Sequence, residues 1–359
     1  MPEPCLRLED LGWDADWRAS ASAYADVGAA GRVTRVDRGL CSALTPTGLV
    51  RASFGGSVLE AMVDDPRAAP CTGDWCVLRQ WPDGPVTVEA VLPRRTALVR
   101  AEASGISRGQ VLATNVDVVA VVIALHPDPN LGRVERLLSL AWQSGATPVV
   151  VLTKADVVSD GLEVASDVRG LAAGVSVLCT STETGAGIDV LRRRLRGSSV
   201  VLVGASGHGK SSLANALVGA DALLTRRIRD DGKGRHTSVR RELIPLPGGG
   251  AVIDTPGLRG VGLPDSADGL AAAFPDIASL SAHCRFDDCA HAREPGCAVI
   301  AAAEIGALSV RRLDSWRRLH SEQQQMALRS DARLRSELHK RLRRESKQLR
   351  TSNSHKHRP

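Results

Sequence analysis

The sequence predicts an α/β domain built around a phosphate-binding loop, preceded by a small β-barrel and followed by an α-helical metal-binding module. Three observations carry this. Apolar runs at Asn115–Leu125, Thr147–Leu152 and Ser199–Val203 alternate with segments of helical spacing, as in a sheet covered on both faces. Ahead of them, short β-like stretches are separated by turn residues. Directly after one apolar run, Gly204–Ser211 reads G-x-x-x-x-G-K-S.

Taken in order, residues 1–29 form an N-terminal extension rich in Trp and Asp, expected to pack on the domain that follows. Over 30–100, five stretches (Gly31–Asp37, Cys41–Leu44, Leu49–Phe54, Asp74–Trp81, Val86–Val91) are broken by Pro46-Thr47-Gly48 and Pro82-Asp83-Gly84. They predict a small barrel of RNA-binding type, OB-like first and SH3-like as the alternative. Residues 105–263 hold the α/β domain. Within it Val134, Leu137, Leu138, Leu140 and Ala141 recur at helical spacing. The alternation continues through Val175–Cys179, a helix near Ile188–Leu195, a helix from Ser211, and strands at Glu242–Leu246 and Ala251–Ile253. An Ala-rich helical stretch and a Cys/His cluster occupy 264–308, and 309–359 form a basic helical tail.

Bulk properties narrow the partners. The net charge of +6 points weakly to an anionic one. Its distribution says more: Arg311–Arg350 holds thirteen Arg/Lys against five Asp/Glu, which favours contact with a phosphate backbone over a merely solvated face. Aromatic content of 3% excludes base stacking as the main binding device throughout. The start lacks the basic flank and apolar stretch of a secretory signal. The longest apolar run, Val118–Leu125, is too short to span a bilayer, so a soluble cytoplasmic protein without membrane contact is expected.

The phosphate loop comprises Gly204, Ala205, Ser206, Gly207, His208, Gly209, Lys210 and Ser211, with Ser212 opening the helix behind it. Its glycines let backbone N–H groups ring phosphates, and the helix N-terminus adds partial positive charge. Lys210 is placed to reach the β/γ-phosphates and Ser211 to bind Mg²⁺. Fifty residues on, Asp254-Thr255-Pro256-Gly257 closes an apolar strand. Asp254 can hold Mg²⁺ through water, and the Gly257 N–H can meet a γ-phosphate. Between the two, Gly232–Ser238 reads as a switch in which Thr237 or Ser238 completes the Mg²⁺ shell. Leu258 stands where many GTPases use Gln to orient water, which predicts slow intrinsic hydrolysis. His236 is the nearest candidate to polarise that water; the alternative is that it packs or contacts RNA. Lys210 and His236 are thus the candidate catalytic side chains.

A base-reading motif comes earlier in the chain. Thr153-Lys154-Ala155-Asp156 ends a buried strand, and the Asp156 carboxylate can accept from guanine N1 and N2, where adenine offers no matching pair. Lys154 can lie over the base. Thr153 replaces the usual Asn, keeping a hydroxyl but losing the amide. Ser181-Thr182-Glu183-Thr184-Gly185, at another strand end, is placed to support guanine O6. Base, then phosphate, then switch is a shuffled order, as if the ends of a GTPase had been moved: a circularly permuted P-loop GTPase domain.

The cysteine pattern adds a metal site. Eight Cys are present, three of them within fourteen residues. Cys284-x4-Cys289-x-His291-x5-Cys297 supplies a complete tetrahedral set for one structural Zn²⁺, with no open position for catalysis. His283 is a spare ligand, and Cys71 and Cys76 stand apart.

The permuted motif order, the barrel before it and the Cys-x4-Cys-x-His-x5-Cys set after it together resemble the RsgA (YjeQ) family of circularly permuted ribosome-assembly GTPases. Gly234–Thr237 and Glu294–Val299 also look like that family; Thr153, His208 and the terminal extensions depart from it. The resemblance implies a monomeric GTPase using GTP/GDP with Mg²⁺, bound to the 30S ribosomal subunit and its 16S rRNA late in maturation. It also implies stimulation by that subunit, and hydrolysis linked to release of the factor or of another assembly factor. The barrel and zinc domains would be the arms touching RNA. Two rivals remain on the residues alone, an ATP-using P-loop enzyme and a non-catalytic RNA-binding module.

Overall fold

The computed structural model describes residues 7–100, 109–158, 161–219, 241–255 and 267–330. Its first segment is a 3-10 turn at Leu8–Leu11 followed by α1 (Ala15–Ala21). Asp14 caps α1, accepting from the Trp17 N–H at 3.0 Å, and takes two N–H bonds from Arg95 at 2.6 and 2.7 Å. Leu8, Leu11, Trp13 and Trp17 are buried in one cluster with Trp75. The extension is therefore part of the core.

Strands β1 (Ala29–Asp37), β2 (Leu40–Thr45), β3 (Gly48–Phe54), β4 (Trp75–Gln80) and β5 (Val86–Val91) close a barrel in the order β1-β2-β3-β5-β4. Helix α2 (Gly56–Asp64) lies between β3 and β4, and β3 pairs parallel with β5. This is the OB-type closure. Val33, Cys41, Ala43, Ala52, Cys76, Leu78 and Val88 fill the interior. A two-stranded ribbon, β6 (Ala97–Arg100) with β7 (Gln110–Thr114), leads out of the barrel.

The α/β domain is a six-stranded sheet. Its strands are β8 (Val118–Ala124), β9 (Thr147–Thr153), β10 (Ser176–Cys179), β11 (Ser199–Val203), β12 (Glu242–Pro245) and β13 (Ala251–Asp254), in the order β10-β9-β8-β11-β13-β12. All pairings are parallel except β12 with β13. Every residue of β8 is buried, and alternate residues face different clusters. Val119, Val121 and Ile123 pack towards α3 (Leu131–Gln143) and α4 (Gly161–Leu171); Val118, Ala120 and Val122 pack towards α5 (Ile188–Leu195) and α6 (Lys210–Val218).

The C-terminal module contains α7 (Ala267–Ala273), α8 (Pro275–Ser281), α9 (Ala298–Glu304) and α10 (Val310–Ser330). It is held to α3 by Glu135, fully buried, whose carboxylate accepts from Arg311 at 2.9 and 3.1 Å and from Arg312 at 3.0 Å. Arg312 also donates to Asp276, and Arg136 pairs with Glu322 at 2.6 and 2.8 Å. Charge counting had placed Arg311 and Arg312 in a phosphate-binding tail. They serve internal ion pairs instead, because a buried carboxylate on α3 needs them. The tail beyond 330 lies outside the described residues. No helix among the described residues is long and apolar enough to cross a membrane.

Arg32 on β1 joins three of these parts. Only 1% exposed, it donates to the Leu11 carbonyl of the extension, to Ser199 Oγ at 2.7 Å on β11 and to the Asn115 carbonyl at 2.7 Å. Its guanidinium also lies 5.0 Å from the Trp75 ring centre. Burial holds its pKa down to about 10, with Asp117 and Asp74 opposing that shift, so it stays charged.

Two tests follow from this seam. Arg32→Leu strands three acceptors and is expected to cost about 3 kcal/mol, read as a lower Tm; an unchanged Tm would make the bridge dispensable. Arg95, against burial, draws the Asp14 pKa down to about 2 from 3.8. The stabilisation is complete above the unfolded pKa and is lost as pH falls from near 4 through 2. Asp14→Asn is expected to remove that part of the acid dependence, measured by comparing Tm against pH for the two proteins.

Candidate functional site

The carboxyl ends of β8, β9, β10, β11 and β13 share one edge of the sheet, and four of the predicted motifs begin there. Neighbouring β8 and β11 continue in opposite directions across the sheet, the switch point at which open α/β sheets bind ligands. The phosphate loop runs from β11 into α6. A Cβ on Gly204 would sit 2.3 Å from the Val122 carbonyl of β8, so only glycine lets the loop lie this close. Gly209, at φ +80°, turns the chain into α6.

Contacts tie the dispersed motifs together. Thr153 Oγ1 donates to the His208 carbonyl at 2.8 Å, joining β9, whose end carries the expected base-reading motif, to the glycine-rich loop after β11. The hydroxyl that survives the replacement of Asn thus has a structural partner. The Ala155 N–H donates to the Thr180 carbonyl at 3.1 Å, and Ser181 Oγ accepts from the Thr184 N–H, fixing the loop expected beside guanine O6. Lys154 has φ +59°, a strained value for a non-glycine residue. Lys154, Asp156 and Thr182 are exposed, Ala155 half-buried and Ser181 buried.

On the phosphate side, Lys210 Nζ donates to the Ala205 carbonyl at 2.8 Å, and burial lowers its pKa while Asp254 opposes the shift. Ser206, Gly207, Ser211 and Ser212 are exposed at the loop and the first turn of α6. Ser211 Oγ donates to Asp254 Oδ2 at 2.9 Å. The other oxygen, Asp254 Oδ1, is buried without a hydrogen-bond partner. An orphaned carboxylate oxygen beside a hydroxyl is the donor set a hard cation fits, so these two residues suit Mg²⁺. His208 is held below its usual pKa by burial, and its Nδ1–H donates to the Val122 carbonyl at 3.1 Å. His236, Thr237, Ser238 and Gly257 lie outside the described residues.

The second site is in the C-terminal module. The ligand atoms of Cys284, Cys289, His291 and Cys297 all lie within 4.8 Å of one another. Cys284 Sγ to Cys297 Sγ is 3.8 Å, and His291 Nδ1 lies 3.6 and 3.4 Å from the same two sulfurs. A tetrahedron with Zn–S of ~2.3 Å and Zn–N of ~2.05 Å has edges of about 3.8 and 3.5 Å. The cluster fits zinc. His283 is not part of it; its Nδ1 bonds the Ser279 carbonyl instead.

Three residues that sequence reasoning missed hold this cluster. The His291 Nε2–H donates to Ser281 Oγ at 2.8 Å, leaving Nδ1 as the ligand, and the Ser281 hydroxyl donates on to the Ile277 carbonyl. Arg317 of α10 donates to the His291 carbonyl at 2.9 Å. Glu294 accepts from the N–H groups of Ala290, Ala292 and Arg293, and backbone N–H groups, its own first, hold its pKa down to about 2. Of these three, only Glu294 was touched in advance, as part of the Glu294–Val299 stretch that resembles the family.

Comparison with known proteins agrees with this geometry. A family model described as RsgA GTPase matches residues 91–264. The small ribosomal subunit biogenesis GTPase RsgA of Streptomyces avermitilis is 51% identical over 336 residues, covering 92% of this chain and 90% of that protein. Its Streptomyces coelicolor counterpart is 50% identical, covering 93% and 91%. Among solved structures, YjeQ from Thermotoga maritima superposes with TM-score 0.62 at 25% identity over 82% of this chain and 98% of that one. YloQ, described as a circularly permuted GTPase, gives 0.59 at 22% identity over 83% and 95%, a likeness of fold.

Elemental analysis of the purified protein is expected to find one zinc per chain. Cys297→Ser should lose the metal and speed hydrogen exchange over residues 275–305. Slow exchange there in the zinc-free variant would mean that the module folds without the ion.

Proposed function

The chain belongs to the RsgA GTPase family, and on that premise we propose that it is a cytoplasmic GTP-hydrolysing factor for late maturation of the small ribosomal subunit. The observation that carries the reading is the convergence of Thr153, the phosphate loop and Asp254 on one sheet edge. Membership removes the ATP-using rival and the non-catalytic one.

In this reading the loop N–H groups from Gly204 to Ser211 wrap the phosphates and Lys210 neutralises charge on the β- and γ-groups. Ser211 and Asp254 hold Mg²⁺, which supplies charge neutralisation when bound. Asp156 reads guanine, with Lys154 along the base and the Ser181–Thr182 loop at O6. Thr237 or Ser238, the Gly257 N–H and His236 complete the site when the switch orders. Leu258 cannot orient water, so hydrolysis is slow until the 30S subunit and its 16S rRNA order the switch. Hydrolysis then accompanies departure of the factor or of another assembly factor.

GTP turnover is expected to rise at least tenfold on adding purified 30S subunits and to stay flat with 50S subunits; equal rates would sink the proposed stimulation. Asp156→Asn should narrow the preference for GDP over ADP by at least about 100-fold, measured by competition binding, while an unaltered preference would take base reading away from Asp156.

A further inference from the structure

A cavity of about 390 Å³ lies between α3, α10 and the start of the phosphate loop. It is lined by Gly204 and Ala205 of the loop, Arg133 and Arg136 of α3, and Ser315 and Arg318 of α10. Ion pairs clamp the two helices on either side of it. Arg311 and Arg312 hold Glu135 one turn before Ser315, and Glu322 holds Arg136 one turn beyond Arg318. Residues 311, 315, 318 and 322 recur at helical spacing, so the face of α10 that binds α3 also lines the cavity. The helices come close there: a Cβ on Gly132 would lie 3.6 Å from Ser315 Oγ and 3.8 Å from a terminal nitrogen of Arg318.

Charge at this cavity is out of balance. The acidic residues of the two helices are Glu135, Asp314 and Glu322, and each already has an arginine of its own. Arg133 and Arg318 are exposed and make no ion pair among the described residues. Arg318 spends its Nε–H on the Asp314 carbonyl at 3.3 Å, which leaves the terminal N–H groups for a ligand. Arg133 belongs to the field of the phosphate loop. Burial first, then the charges of Arg133, Lys210 and Lys154, hold the His208 pKa down against its bond to Val122.

The loop residue on the cavity is also the one nearest the chemistry. Lys210 Nζ, the group that neutralises β- and γ-phosphate charge in the reading above, donates to the Ala205 carbonyl. Hydrolysis at that end of the loop frees inorganic phosphate. We propose that the cavity between α3 and α10 is a binding site for inorganic phosphate, the product released beside it, held by the guanidinium groups of Arg133 and Arg318. The proposal rests on the phosphate-loop reading and is independent of the ribosomal one. Arginine presents paired N–H groups that match two phosphate oxygens at once. Buried Leu137, Ser315 and Leu319 make the site a recess. A recess suits a compact ion, whereas a nucleic-acid backbone needs a groove open at both ends.

The test loads the full chain with Mg²⁺ and a non-hydrolysable GTP analogue, which fills the γ-position, and titrates inorganic phosphate by calorimetry. The parent is expected to bind one phosphate with Kd on the order of 1 mM. Arg318→Ala should weaken binding about tenfold, and Arg318→Lys, which keeps the charge and loses the fork, about threefold. Arg133→Ala acts from the other helix and should match Arg318→Ala, so the test survives if one variant fails to fold; Tm reports folding. No phosphate binding by the analogue-loaded parent, or equal binding by the parent and both alanine variants, would overturn the proposal. Two further titrants separate the sources of phosphate. Ribose 5-phosphate binding about tenfold more tightly than free phosphate would give the cavity to a phosphorylated metabolite, and displacement of phosphate by a short single-stranded RNA would give it to nucleic acid. Either result ends the product assignment. GDP affinity of the parent tells the two failures apart: tight GDP binding without phosphate binding refutes the cavity site alone, whereas absence of GDP binding refutes the phosphate-loop reading and the cavity site with it.

Discussion

Parallel strands bring all their carboxyl ends to one edge, and this constraint lets the rest of the molecule exist. The order in which the chain visits β9, β11 and β13 does not alter where their ends emerge. A nucleotide site assembled from loops at that edge is therefore indifferent to the position of the termini. What it requires is contact between loops, and Thr153 with His208 and Ser211 with Asp254 provide it.

Freed termini became attachment points, and each attachment is sealed by a buried arginine. Arg32 takes carbonyls from the extension and the α/β domain; Arg312 takes Glu135 and Asp276 between α3 and the zinc module. Such groups are costly to bury, and here acceptors meet both terminal nitrogens of each guanidinium, while Arg32 Nε is buried without a partner. They also fix orientation: a sliding interface would leave each guanidinium short of partners. The barrel and zinc module are thus held at set positions around the sheet edge.

Elements whose burial is uniform were easiest to read. Strands β8, β9 and β11 are covered on both faces and stand out as apolar runs, and the ligand set of the zinc cluster is written in rare residue types. Helix α2 was missed because it is short, opens at Gly55-Gly56 without a side-chain cap, and buries only Val58. Ribbon β6–β7 escaped notice because neither strand alternates cleanly. Arg32 could not be foreseen. An arginine within a strand reads as solvent-facing, and its burial depends on the extension and β11 arriving from distant parts of the chain. Likewise Ser281 and Arg317 act on His291 through a ring nitrogen and a backbone carbonyl, roles that leave no spacing signature.

The pairing of β8 with β11 has a consequence for synthesis. Residues 124 and 199 lie 75 positions apart, so at ~5–20 residues per second the ribosome needs about 4–15 s to deliver the partner strand. During that interval β8, joined by β9 and then β10 as they are made, presents an apolar, unpaired flank, the kind of edge that recruits wrong neighbours. An unpermuted order would make the phosphate-loop strand first. Here strand β8, buried along its whole length in the finished fold, lacks one of its two neighbours until β11 has been made.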